Sequence, residues 1–202
     1  MGAAGRGRVM ALQIDFKSLI TETVTAPRSA AERVLALGLG KESLGLLVAL
    51  VAVVNTILYS LSLSLFESST GVQTGMNLPI LYLMILTSVI VLGAVVLRWV
   101  GQMFGGQASL GQLLSLIVWL QVMRAIAQAG LLVLTLILPG LANMVALVLG
   151  LFGLWIMVNF LDVAQGWNSL GKSFLVMVLA GVGFVFGLSL FMLLIGASPM
   201  GV

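Results

Sequence analysis

The chain has no cysteine and no histidine, and only 7% of its 202 residues are charged. Thiolates and imidazoles are the usual protein ligands of zinc, haem and iron–sulfur clusters, and imidazole is the commonest catalytic base. Outside the first 42 residues the acidic side chains are Glu67 and Asp162, which fall on opposite sides of the topology derived below. We therefore predict no metal site, no cofactor and no enzymatic activity.

Hydrophobic residues, in contrast, make up 61% of the chain. An ordinary soluble domain has roughly 45–50% hydrophobic and about 25% charged residues, so this chain has too little charge to cover a water-exposed surface. Most of the charged residues lie in the first 42 positions. The composition predicts an integral membrane protein.

Five long apolar stretches follow the charged segment. Each is long enough to cross a hydrocarbon core of about 30 Å as a helix, which rises about 1.5 Å per residue. They cover residues 44–66, 78–99, 113–138, 141–161 and 174–195. A polar loop, Glu67–Asn77, separates the first two, and Pro139 ends the third. The sequence therefore predicts an all-α fold, a polytopic bundle of five transmembrane helices within residues 43–196.

The segment before the first span mixes charged and apolar residues at helical spacing. Residues 11–42 are predicted to form an amphipathic helical segment on the cytoplasmic membrane surface, with a helix break before Pro27. Its basic residues alternate with acidic ones, which favours anionic lipid over nucleic acid as a partner; a cytosolic arm without partners is the alternative. Residues 1–10 are predicted to be a disordered extension, with Met10 as an alternative start, and residues 197–202 a short tail.

The basic residues also predict the orientation. With five spans and a cytoplasmic N-terminus, every Lys and Arg except Arg124 falls on the cytoplasmic side, including Arg98 and Lys172. Lys and Arg are enriched in cytoplasmic loops of membrane proteins, so this orientation is the favoured one. The C-terminus then lies on the opposite side.

Arg124 lies near the middle of the third span, where inserting an arginine costs roughly 2.5–3.5 kcal/mol. Gln121, Arg124 and Gln128 are spaced i, i+3 and i+7 and therefore share one helix face. Asn55 lies at the same depth in the first span and is the preferred partner of Arg124, while Asp162, nearer the cytoplasmic surface, is the alternative. This intramembrane polar cluster either holds helices together or lines a path for a solute or lipid.

Pairs of glycines in the last two spans predict close helix approach. Gly150 and Gly153 lie in the fourth span, and Gly183 and Gly187 form a Gly-x-x-x-Gly motif in the fifth. We expect them to pack helices within one bundle in preference to joining two chains.

The connector between the second and third spans contains Gly101 and the run Phe104-Gly105-Gly106, and it leads into a span with Trp119. With a Phe16-led cytoplasmic helix, Pro27 and five spans, the chain resembles bacterial members of the YIP family of five-span membrane proteins over residues 16–195. The resemblance implies a cytosolic N-terminus, a periplasmic C-terminus and location in the bacterial inner (plasma) membrane. Eukaryotic members bind Rab-type GTPases, but their Asp-Leu-Tyr-Gly-Pro-like cytosolic segment has no counterpart here.

These observations predict a non-enzymatic membrane-organising protein or an accessory subunit. Its partners are expected to be membrane lipids and a membrane protein or complex. The alternative is a small transporter or lipid-translocating protein that uses the polar stripe around Arg124.

Overall fold

The computed structural model describes residues 15–66 and 78–194, which are helical apart from short connections. The helices are α1 (Phe16–Thr25), α2 (Pro27–Ala36), α3 (Lys41–Phe66), α4 (Pro79–Met103), α5 (Leu110–Ile137), α6 (Pro139–Gln165) and α7 (Leu170–Leu194). The predicted extension at 1–10, the polar loop at Glu67–Asn77 and the tail at 197–202 lie outside the described residues.

The five long helices, α3 to α7, are long and apolar enough to cross a membrane. They contain 25 to 28 residues each. At about 1.5 Å per residue they reach roughly 37–42 Å, which exceeds a hydrocarbon core of about 30 Å. The predicted all-α bundle with five membrane-spanning helices is confirmed.

The extra length of the helices is concentrated at one end of the bundle. Compared with the predicted spans, α3, α5 and α7 begin three or four residues earlier, and α4 and α6 end four residues later. At the other end the predicted and observed boundaries agree within two residues. We call the end formed by Lys41, Met103, Leu110, Gln165 and Leu170 the capped end, because α1 and α2 pack across it, and the opposite end the outer end.

Contacts between helices define a ring. Among the described helices, α4 contacts α5, α5 contacts α6, α6 contacts α7, and α7 contacts α4 again. Helix α3 lies outside this ring, against α4 and α5. Helices α1 and α2, which we call the arm, contact each other, and α2 contacts α5 and α6. The ring therefore encloses an interior that the arm covers at the capped end.

The main apolar core lies close to the capped end. It joins Leu19 and Val34 of the arm to Leu97, Leu116 and Phe160 of the ring, and every member from α4 to α7 lies within about ten residues of the capped end. A second cluster, around Ala52 and Ile90, fills the contact of α3 with α4 and α5. Toward the outer end many large apolar side chains are exposed, as expected of a surface that faces lipid.

Local sequence explains where the helices begin and end. Pro27, Pro79 and Pro139 each occupy the first turn of a helix, where the missing N–H costs no hydrogen bond. Ser109 and Gln112 form a reciprocal capping box at the start of α5. These signals determine the position of the connector between α4 and α5 at the capped end. They also determine the position of the tight turn between α5 and α6 at the outer end.

Candidate functional site

A buried carboxylate joins the arm to the bundle. Asp162, in the last turn of α6, has no solvent-exposed surface. Its Oδ2 accepts a hydrogen bond of 2.6 Å from Arg28 Nη1 of α2, which makes an ion pair. Its Oδ1 accepts from the Ser169 N–H at 2.7 Å and from the Ser173 hydroxyl at 3.0 Å. Three donors satisfy the carboxylate, as a charge buried from water requires.

Arg28 continues this connection to the loop between α6 and α7. Its Nη2 donates a hydrogen bond of 2.9 Å to Asn168 Oδ1. The side chain of Arg28 remains 42% exposed, whereas that of Asp162 is 0% exposed. The guanidinium therefore lies at the rim of the capped end, with the carboxylate beneath it.

Gln165, one turn after Asp162, holds the connector between α4 and α5. Its Oε1 accepts a hydrogen bond of 3.2 Å from the Ala108 N–H, and its Nε2 donates one of 3.4 Å to the Leu97 carbonyl. A Cβ atom at Gly101 or Gly106 would overlap the Gln165 amide, so a larger residue at either position would displace that side chain.

Gly105, between those two contacts, has a φ of +75°, a conformation that disfavours side chains. Phe104 packs against the main core. Two glycines of the family-like connector, Gly101 and Gly106, thus form a close-fitting seat for the buried amide of Gln165.

The arm is also bound to α5 through Trp119. The indole Nε1 donates a hydrogen bond of 2.9 Å to Thr23 Oγ1, and the hydroxyl of Thr23 donates to the Leu19 carbonyl at 2.7 Å. The ring of Phe16 meets that of Trp119 edge-on, with centroids 5.5 Å apart. Trp119 is thus buried in the main core near the capped end, where it contacts the arm.

Within the arm, charged side chains connect α1 to α2. Glu22 accepts hydrogen bonds from Ser29 and Arg33, and Arg33 also donates to Ser18 Oγ at 3.1 Å. The Ser29 hydrogen bond, followed by that of Arg33, holds the pKa of the Glu22 carboxyl below its ordinary value of 4.5. These contacts keep the two short helices together as one unit.

The predicted polar cluster is only partly assembled. Asn55 is fully buried. Its Nδ2 donates hydrogen bonds to the main-chain carbonyls of Val51 at 2.8 Å and of Gln121 at 3.3 Å. Gln128 Nε2 donates to Ser62 Oγ at 3.5 Å. These bonds link α5 to α3 at the depth that the sequence predicted.

Arg124 does not join those bonds. Its side chain is exposed, and among residues 15–66 and 78–194 it has neither an ion pair nor a hydrogen bond. The alternative pairing with Asp162 is wrong, because that carboxylate binds Arg28. Two buried oxygens at this depth, Asn55 Oδ1 and Gln121 Oε1, also lack a hydrogen-bond donor in the described structure.

The glycine pairs lie on exposed helix surface. No heavy atom of a neighbouring helix in the described structure lies within 4 Å of the position that a Cβ would take at Gly150, Gly153, Gly183 or Gly187. In the single chain they do not provide the close helix approach that was expected within one bundle. A packing role stays a prediction for contacts between chains.

The described residues contain no group of three or more Asp, Glu, His or Cys side chains placed to hold a metal ion. The polar groups at the capped end are instead engaged in bonds between helices. The structure defines the chain as a polytopic membrane protein with a docked helical arm.

Comparison with known families gives a more specific assignment. The family model of the Yip1 domain matches residues 21–191, a range that begins inside the arm and includes most of α7. The chain therefore belongs to the Yip1 family, as the resemblance predicted. No curated protein and no solved structure matches the chain significantly.

Sequence reasoning missed Arg28 and Gln165. Arg28 is separated from its partner by 134 positions, and nothing local distinguishes it from the other basic residues of the arm. Gln165 had a usable signal, because Asp162, Gln165 and Asn168 recur every three residues where an otherwise apolar helix ends. Such spacing puts Asp162 and Gln165 on neighbouring faces of the last turn of α6, with Asn168 in the loop that follows.

Proposed function

We propose that the capped end faces the cytoplasm of a bacterial cell and that the outer end faces the periplasm. All charged residues in the described ranges except Arg124 lie at or near the capped end, and the basic ones include Lys17, Arg98 and Lys172. This distribution supports a cytoplasmic N-terminus under the positive-inside rule.

Labelling of single cysteines tests this orientation, because the native chain contains none. Ala36→Cys places a thiol on exposed backbone at the capped end, and Gly140→Cys places one on exposed backbone at the outer turn. In intact cells a membrane-impermeant maleimide should label position 140 and should reach position 36 only after permeabilisation. The reverse pattern would refute the orientation.

We propose further that the protein is a non-enzymatic membrane-organising or accessory subunit that binds lipids and a protein partner through the arm. The supporting observation is that the Arg28–Asp162 ion pair holds the arm against the bundle while leaving charged side chains on its outward face. Lys17 and Glu32 are exposed there, and the buried residues of the arm are apolar except for Thr23. A rigid, charged face beside the membrane suits recognition of a partner and of anionic lipid.

Co-purification tests the partner role. The tagged protein, expressed at native level, is isolated in nanodiscs, and accompanying proteins and lipids are measured by mass spectrometry. We expect a stoichiometric protein whose yield falls in the Lys17→Ser, Glu32→Ser double variant. The matched control is Lys172→Ser, which removes charge at the same end but outside the arm. Absence of any stoichiometric protein, or equal loss in both variants, would contradict the role.

A second candidate function is transport of a solute or translocation of a lipid past Arg124. It is favoured by the exposed, unpaired arginine at the depth where Asn55 Oδ1 and Gln121 Oε1 lack donors in the described structure. Intramembrane charges that face a cavity are frequent in transport pathways. Arg124→Leu should then abolish flux in reconstituted vesicles while the protein stays folded; under the accessory role the variant is tolerated or only destabilised.

A further inference from the structure

The row of residues leading to Arg124 faces the interior of the helix ring. Leu113, Ile117 and Leu120 line a small space together with Leu97 of α4 and Met157 of α6. Arg124 follows Ile117 by seven residues and Leu120 by four, so it lies on the same face of α5, one turn farther from the capped end. Along this row exposure increases away from the capped end: Leu113 is buried, Leu120 is half-buried and Arg124 is exposed.

A larger apolar cavity adjoins this row. It has a volume of about 220 Å³ and lies between α4, α6 and α7. Val89 and Gly93 line it from α4, and Ala180 and Phe184 line it from α7. Leu97 and Met157 border both this cavity and the small space beside α5, which makes the two spaces neighbours.

The depth of the cavity matches that of Arg124. Measured along the helices from the capped end, Arg124, Val89 and Phe184 each lie fourteen residues in, roughly 21 Å. The remaining lining residues lie closer to the capped end. Arg124 is therefore level with the outer limit of the apolar cavity, although it is not one of the residues that line it.

A second copy of the chain cannot neutralise Arg124. The acidic residues of the whole sequence are Asp15, Glu22, Glu32, Glu42, Glu67 and Asp162. None lies at mid-depth of a span, and Asp162 is already bound to Arg28. A carboxylate or phosphate at the depth of Arg124 must come from a different molecule.

We propose that Arg124 and the adjacent cavity form a binding site for a single-chain anionic amphiphile. The anionic head accepts hydrogen bonds from the guanidinium, and the hydrocarbon tail occupies the apolar cavity between α4, α6 and α7. A single tail suits a cavity of about 220 Å³. The site is separate from the arm. It gives the second candidate function a class of ligand, but it does not require that the ligand be transported.

Decanoate binding tests the head group interaction. The full-length protein is placed in nanodiscs of zwitterionic phosphatidylcholine, and binding of radiolabelled decanoate is measured by equilibrium dialysis, with empty nanodiscs subtracted. We expect saturable binding that weakens at least about tenfold, 1.4 kcal/mol, in Arg124→Gln and is largely retained in Arg124→Lys. Arg98→Gln removes an arginine at the capped end and should leave the Kd unchanged. Equal Kd values for the wild-type protein and Arg124→Gln would overturn the proposal.

Cavity filling tests the position of the tail. A leucine at Gly93 projects into the cavity, and no atom within 4 Å of the new Cβ obstructs it, so the variant should fold. Gly150→Leu is the matched control, because Gly150 has equally open surroundings and lies outside the cavity. We expect Gly93→Leu to abolish saturable decanoate binding and Gly150→Leu to preserve it. Loss in neither variant would show that the tail lies elsewhere and would overturn the site.

Ligand analogues separate charge from simple partitioning. Like decanoate, decanol and decyltrimethylammonium carry one unbranched ten-carbon chain, but their heads are neutral and cationic. They should compete with decanoate only at concentrations at least about tenfold higher, since neither carries a negative charge that pairs with the guanidinium. Equal competition by all three would refute the anionic specificity. Binding without flux in vesicles would preserve this site and exclude the transport function.

Discussion

Removing the charge of Asp162 should loosen the arm without unfolding the bundle. In Asp162→Asn the Ser169 N–H and the Ser173 hydroxyl keep an acceptor, whereas the ion pair with Arg28 is lost. Hydrogen bonds to charged groups contribute about 1.5–3 kcal/mol, and exposed ion pairs about 0–1 kcal/mol. Because Arg28 is 42% exposed and Asp162 is 0% exposed, we expect a loss of about 2 kcal/mol.

A thiol under the arm reports its opening. Val34 is 2% exposed and packs in the main core, so Val34→Cys gives a smaller side chain that reacts when α2 lifts. A change of 1.4 kcal/mol is tenfold in an equilibrium, and a loss of 2 kcal/mol therefore predicts about thirtyfold faster maleimide labelling in Asp162→Asn. Ala36→Cys, on exposed backbone of the same helix end, should react at the same rate in both backgrounds.

A double-variant cycle makes the reasoning refutable. Arg28→Gln should raise the labelling rate of the Val34→Cys thiol to a similar extent, and combining it with Asp162→Asn should add little, because both remove one interaction. An unchanged rate in Asp162→Asn, or effects of the two variants that add fully, would show that the ion pair does not hold the arm.

Gly101→Ala should destabilise the protein by about 1–3 kcal/mol, because the new Cβ displaces Gln165 from its hydrogen bonds. The control is Gly171→Ala, which has open surroundings in a helix and should be neutral or stabilising by up to about 1 kcal/mol. Thermal midpoints in detergent measure both, and shifts in the same direction would contradict the proposed seat. The lowered pKa of Glu22, caused first by Ser29, predicts that the carboxyl stabilises the arm fully above pH 4.5 and progressively less as pH falls through its lowered pKa. The midpoint difference between wild type and Glu22→Gln should therefore shrink in acid, and a difference that does not change with pH would oppose this assignment.

The sequence was sufficient for the number of membrane-spanning helices and for most of their boundaries. Apolar length and the prolines at 79 and 139 are local signals, and membrane insertion requires every backbone group of a span to bond within its own helix. The observed helices differ from prediction mainly at the capped end, where they continue beyond the apolar stretch. At the capped end the helices contact the arm and not lipid. A hydrophobicity pattern along the sequence does not reveal such contacts.

Composition and local spacing by themselves determined an all-helical membrane protein, the place of the polar stripe and the charge asymmetry between the two ends. Tertiary structure decided which groups meet: Asp162 binds Arg28 and leaves Arg124 free of that pairing, and Gln165 takes up the space that Gly101 and Gly106 provide. The apolar length and the charge of a segment determine whether that segment lies in lipid or in water. Each segment can therefore be assigned from its own residues. Pairing of buried polar groups depends on which helix faces come together, and residues 134 positions apart in the chain contain no local trace of that contact.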